Sequence, residues 1–295
     1  MRSGNLLGYI SIMMATLFWG FSATFAKFLF KHNVDLLTLV QMRSTLSFVV
    51  LFVFLSIFKR EYLKVPKRDV LRFALLGVIG IAGSNFTYYF TLNEINVATA
   101  IIMQYTAPVL VVLYGVLSKS ERITPVKLSA MFLSLLGCAF VVRIFEVQFL
   151  NLSKIGLLSG VASALCWAFF NVYGKKVGQG HNVWGSLTFS LMFAGIFWLM
   201  FNPPWKILNS DFSLSDWIVF FIFAMISVLI PYFFYFTGLK FIQPSSAIIT
   251  STLEPVVAII SAWVIVEEKL SLIQLIGAIF VISAVALLQI KRDET

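Results

Sequence analysis

Apolar residues run through this chain in long stretches separated by short polar connectors. Ten stretches, at 7–30, 37–58, 70–92, 97–118, 125–144, 154–177, 183–201, 217–239, 244–266 and 272–290, have the length of about 17–25 residues that a helix needs to cross a bilayer. Each is read as a helix, because barrel strands would alternate apolar and polar positions over about ten residues. The expected fold is an all-α integral membrane protein of ten transmembrane helices. The longest connector, 202–216, carries Pro203, Pro204 and Trp205, which suit a turn at the membrane interface. The first stretch is too long for a signal-peptide core and lacks a small-residue cleavage site, so it reads as a retained span.

Composition agrees with that pattern. Of 295 residues, 60% are hydrophobic and 12% charged, and the mean hydropathy is +0.94. A soluble domain of this size does not bury so much apolar surface, and 31 Phe suit a lipid-facing exterior. The net charge of +9 does not point to nucleic acid. Lys and Arg sit mostly in the connectors, where they set topology and meet anionic headgroups. With the N-terminus inside, the inner segments hold 15 of them and the outer segments 5, which places both termini in the cytoplasm. Cys138 and Cys166 lie within apolar stretches and read as small buried hydrophobes. A compact chain without a transit segment favours a bacterial inner (plasma) membrane.

The second half repeats the first at an offset of 147 or 148 residues. Gly8, Ser11, Leu17, Trp19, Phe21 and Lys27 fall on Gly156, Ser159, Leu165, Trp167, Phe169 and Lys175. Tyr88 falls on Tyr235, and Ala100, Ile101, Ile102, Pro108 and Glu121 fall on Ala247, Ile248, Ile249, Pro255 and Glu268. Five spans per half is an odd number, so repeats 1–147 and 148–295 would lie upside down relative to each other. Secondary transporters of that plan hold substrate near the midplane, between the repeats.

Glu254 stands about midway along the ninth stretch, with Ser251 on the same polar face. A charge at that depth costs roughly 2.5–3.5 kcal/mol on insertion scales. It is read either as an acid paired inside the bundle or as one that binds a cationic group or exchanges a proton. Pro255 withholds an amide from the Ser251 carbonyl, as Pro108 does from Gln104 and Pro231 from Ser227, so Pro108 and Pro255 are candidate hinges of kinked helices. Arg43 lies about six residues from the outer end of its span, roughly 9 Å. It either snorkels to the outer headgroups or lines a vestibule, where it meets a substrate carboxylate or Glu254. Lys27 and Lys175 read as snorkelling. Trp19 and Trp167 lie too deep for the interfacial belt and serve as pocket lining or core. Asn85, Tyr88, Gln104, Asn171 and Tyr235 are mid-depth polar groups, either bonded between helices or in contact with substrate. Gly77, Gly80 and Ser84 permit a close helix contact.

Little here supports an enzyme. His32 and His181 fall in connectors on opposite sides, no metal-ligand spacing or G-x-S-x-G occurs, and no catalytic residue, metal or cofactor is expected. The glycosylation triplet at Asn151 is of a kind frequent by chance, and Glu267 and Glu268 read as solvated.

Several motifs carry a family likeness: A-T-L-F-W-G-F at 15–21 with its echo S-A-L-C-W-A-F-F at 163–170, A-T-A-I-I-M-Q-Y-T-A-P-V at 98–109, S-S-A-I-I-T-S-T-L-E-P-V at 245–256, and E-K-L-S at 268–271 before I-G-A. On these the chain resembles the EamA family of the drug/metabolite transporter superfamily over nearly its full length. The resemblance implies ten helices, cytoplasmic termini, two inverted halves, and export or exchange of small metabolites. One departure is Ala107-Pro108 where the second half has Glu254-Pro255, so the acid occurs once. The expected function is a secondary transporter, an exporter of small organic metabolites such as amino acids or drugs, working by alternating access. Its expected partners are a small-molecule substrate, protons as candidate coupling ion, and membrane lipids. The alternative is a lipid-handling scramblase or channel-like protein, which would need a continuous polar groove.

Overall fold

The computed structural model describes residues 3–31, 35–95, 97–146, 153–208, 210, 212–267 and 269–290. His32, Asn151, Glu268 and the side chain of Lys27 lie outside the described residues. Everything described is helix or connector. Among the described residues, eight helices are long and apolar enough to cross a membrane, and two apolar helices are shorter. In chain order they are α1 (Ser3–Lys31), α2 (Leu36–Phe58), α3 (Lys67–Glu94), α4 (Val97–Gln104 and Ala107–Leu117), α5 (Pro125–Val141), α6 (Lys154–Gly180), α7 (Val183–Leu199), α8 (Leu214–Phe241), α9 (Pro244–Ser251 and Leu253–Val266) and α10 (Leu272–Ile290). The chain is an integral membrane protein turned outward to lipid. Phe58, Phe132 and Leu272 are 65%, 64% and 74% exposed, while Ser134, Asn171 and Thr250 are fully buried.

Local sequence explains several helix ends. The Asp35 carboxylate accepts the Leu37 amide at 2.8 Å and caps α2, and Thr124 and Ser153 cap α5 and α6. Ser213 and Asp216 form a reciprocal capping box at the start of α8. The two shorter helices, α5 and α7, stop at Val141 and Leu199, where stretches to 144 and 201 were expected. After α5, Arg143 takes a left-handed backbone (φ 56), which no helix continues through. After α7, the amides of Phe201 and Asn202 fold back on the Trp198 carbonyl ahead of Pro203.

Packing between the helices has a two-fold pattern. α1 packs on α8 and α9, while α6 packs on α3 and α4; α2 pairs with α7 and α5 with α10. Glycines set the closest approaches. A Cβ on Gly8 of α1 would come within 2.7 Å of Ile242, and one on Gly156 of α6 within 2.8 Å of Ile95. Both residues of the second pair stand 147 or 148 positions from those of the first. Gly137 and Gly277 let α5 and α10 touch backbone to backbone, since a Cβ on either would lie 2.7 Å from the other's carbonyl oxygen. Gly77 sits against the Ser190 carbonyl of α7, so the small residues of α3 do serve close contact.

Four helices are irregular, and these too fall in pairs. α3 widens into π-helical turns over Leu76–Gly83 and α8 over Met225–Leu229. α4 is interrupted at Tyr105 and Thr106, and α9 at Thr252. These are breaks where kinked continuous helices were expected, and the prolines explain them. Pro108 and Pro255 both sit in the first turn of the following helical piece, where an amide has no helical acceptor and proline is tolerated.

Candidate functional site

The breaks in α4 and α9 meet each other. Tyr105, in the first break, donates its hydroxyl to Glu254 Oε2 at 3.0 Å, and Cys138 of α5 approaches the Thr252 carbonyl at 3.8 Å. Among the described residues the Tyr105 bond is the hydrogen bond that Glu254's side chain makes. Tyr105 was not singled out from the sequence, although the offset of 147 does align it with Thr252. Arg43 and Tyr88 lie within electrostatic reach of Glu254.

Below this pair lies an aromatic floor. Trp19 Nε1 donates at 3.2 Å to the Ser227 carbonyl, in the π-helical stretch of α8 four residues before Pro231. Trp19 meets Trp167 edge to face at 5.5 Å, and Tyr235 packs against both, at 5.2 and 5.4 Å. The Tyr235 hydroxyl donates to Asn171 Oδ1 at 2.5 Å, and Asn171 Nδ2 donates to the Trp167 carbonyl at 2.8 Å. Ser251 lies near the Tyr235 hydroxyl, its own hydroxyl donating to the Ile248 carbonyl at 2.7 Å. Trp19, Trp167, Asn171, Tyr235 and Ser251 are thus brought together and buried. Trp19→Phe removes the indole's bond to the buried Ser227 carbonyl, a loss of about 0.5–1.5 kcal/mol. A thermal unfolding midpoint lowered by several degrees in detergent is the expected result.

Arg43 does not snorkel. It is 6% exposed, turned into the bundle, with Nη1 donating to the Tyr89 hydroxyl at 2.9 Å and Nη2 bonded to Asn85 Oδ1. Its guanidinium also lies 4.9 Å from the Tyr89 ring centroid. Asn85 in turn donates to the Ile81 carbonyl (2.6 Å) and the Tyr232 hydroxyl (3.4 Å). Arg43 Nε is buried without a hydrogen-bond partner, and no carboxylate among the described residues pairs with Arg43 within 4 Å. Gln104 Nε2 sits 3.5 Å from Ser84 Oγ, and Tyr88 stacks edge-on against Tyr89 at 5.3 Å. Although they belong to mid-span stretches, Asn85, Tyr88, Gln104 and Glu254 all keep partial exposure. Lys175 departs from expectation as well. Instead of snorkelling it donates to the carbonyls of Lys240 (3.1 Å) and Ile242 (3.0 Å) at the end of α8.

The arrangement holds a buried cation and an acid near each other without an ion pair between them, above an aromatic floor. Among the described residues no group of three or more His, Cys, Asp or Glu could hold a metal ion.

The sequence profile of the EamA-like transporter family matches this chain twice, at residues 6–143 and 154–290. An inner membrane transporter of Salmonella typhimurium, YicL, is 23% identical over 288 residues, covering 96% of this chain and 95% of that protein. The threonine/homoserine exporter RhtA of Escherichia coli is 26% identical over 251 residues, covering 82% of this chain and 79% of its own. A solved crystal structure superposes with a TM-score of 0.77 at 19% identity, over 97% of this chain and 96% of the other, which supports the fold.

Proposed function

This chain belongs to the EamA-like transporter family and is a membrane transporter of small molecules; from that premise we propose that it exports a zwitterionic metabolite of amino-acid size by alternating access. The observation that carries this reading is the unneutralised pair. Arg43 is buried with a spare N–H, and among the described residues no carboxylate pairs with it and Glu254 accepts one side-chain bond, from Tyr105. A buried charge without a counter-ion is costly, so a ligand carboxylate on Arg43 lowers the energy of the bound state. Glu254 then receives the ammonium group, or a proton when substrate leaves. Trp19, Trp167, Asn171, Tyr235 and Ser251 form the floor, and Asn85, Tyr88 and Gln104 line the approach.

Two inverted five-helix repeats, 1–147 and 148–295, enclose that site in this reading, with ten spans and both termini cytoplasmic in a bacterial inner membrane. The double family match, the paired Gly8–Ile242 and Gly156–Ile95 contacts, and the paired helix breaks support the repeat. The basic residues of the connectors support the orientation. The breaks at Pro108 and Pro255 serve as hinges about which the repeats rock. The test is counterflow in proteoliposomes. Saturable exchange of a neutral amino acid is expected. Absence of exchange for every soluble solute offered, together with lipid movement between leaflets, would instead favour a scramblase.

A further inference from the structure

At the end of the bundle where α3, α5, α7 and α9 begin, buried charged side chains join the two halves. Glu121 and Lys127 are 8% and 3% exposed, with Lys127 Nζ 3.4 Å from Glu121 Oε2. Lys127 also bonds Gln243 Oε1 across to the other half, and donates to the Arg122 carbonyl at 3.5 Å. The Ser245 amide donates to Glu121 Oε1 at 3.3 Å while its hydroxyl bonds Oε2. Alongside, Lys240 donates to the His181 carbonyl at 2.8 Å, and the His181 ring lies 3.2 Å from Asp69 Oδ2.

An ion pair taken out of water gains little net stability, yet breaking it while it stays buried is strongly unfavourable. Such a cluster is therefore stable either closed and fully bonded or open and hydrated, and poorly stable between. It is a latch more than a glue.

The opposite end is built differently. At the offset of 147, Lys127 falls on Gln274 and Ser245 on Ala98, so the lysine and the serine hydroxyl of this cluster are not repeated in the other half. Gln274 instead bonds the Val141 carbonyl (3.2 Å) and the start of its own helix. Burial follows the same asymmetry. Between Ser245 and Glu254, nine residues or about 13 Å along α9, Ala247, Ile248, Ile249 and the neighbouring Tyr235 are all 0% exposed. Asn85, Tyr88 and Gln104, on α3 and α4, keep partial exposure.

We propose that Glu121, Lys127, Gln243 and Ser245 form the gate that closes this end of the transport path. The halves are held shut there by charge, and at the other end by weaker contacts. The proposal rests on the transport reading of the site. In the orientation given above, the gated end is the cytoplasmic one.

The test is accessibility of a cysteine placed beside Glu254. Ser251→Cys, with Cys138→Ala and Cys166→Ala, is labelled with a membrane-impermeant maleimide in right-side-out and inside-out vesicles. Glu121→Gln with Lys127→Met removes both members of the 3.4 Å ion pair together. It is expected to raise labelling from the gated end at least about tenfold. Unchanged labelling from that end, while the other end still labels, overturns the gate. A second measurement is independent of the gate's resting stability. Glu121→Cys with Ser245→Cys, bridged by a short bis-thiol reagent, should stop counterflow, and reduction should restore it. Undiminished counterflow in the bridged protein would overturn the gate equally. If the unaltered protein shows no counterflow but the double variant opens the gated end, the transport reading fails and the gate stands.

Discussion

Glu254→Gln is expected to lower counterflow by about 100-fold, with the protein still folded and inserted. The figure follows from a charge-assisted hydrogen bond of about 1.5–3 kcal/mol between substrate and the acid, roughly 10- to 150-fold in binding. Loss of proton exchange adds to it where the acid also titrates in the cycle. The amide is nearly isosteric and still accepts from the Tyr105 hydroxyl, so the meeting of the α4 and α9 breaks is kept. Retained thermal stability together with lost flux separates a site acid from a structural one. A structural acid would show the reverse, with stability lost and the remaining folded fraction transporting normally.

Arg43→Gln should raise KM for the exported solute by about 10- to 150-fold, because a carboxylate loses a charged, forked partner. Maximal counterflow should change much less. Stability is expected to hold or rise. The substitution removes a buried cation that no carboxylate among the described residues pairs with, and the new amide can still donate to Asn85. Asn85 and Tyr89 would have fixed the guanidinium in place before substrate arrives, so the binding geometry is formed in advance. Arg43→Lys should rescue only part of the affinity, since an ammonium cannot present the same planar fork. A KM unmoved by either substitution would mean that Arg43 meets no substrate carboxylate.

Much of the fold is visible in the chain because lipid imposes a simple rule, namely about twenty apolar residues per crossing. The offset of 147 was equally visible, since paired Trp, Pro and Gly recur at matched depth. Pro231 even marked the carbonyl that Trp19 now occupies. What periodicity does not encode is which faces of two distant helices meet. Arg43 sits near the end of its stretch, and only the approach of Asn85 and Tyr89 draws it inward. Tyr105 and Glu254 are 149 residues apart and come together because both helices break at one depth. Lys175 had a plausible route to the headgroups, but two helix-end carbonyls lay closer. Glu121 entered only as the repeat match of Glu268, because its sequence neighbours do not show that Gln243 and Ser245 of the other half close around it together with Lys127.

The central claim is that the carboxyl of Glu254 is where substrate sits between the repeats. Carbodiimide labelling, followed by peptide mass spectrometry over the 13 acids of the chain, tests it most directly. Glu254 should react in the empty protein and be protected, in proportion to occupancy, by whichever solute gives saturable counterflow. Equal reaction at Glu254 with and without saturating solute would contradict the account.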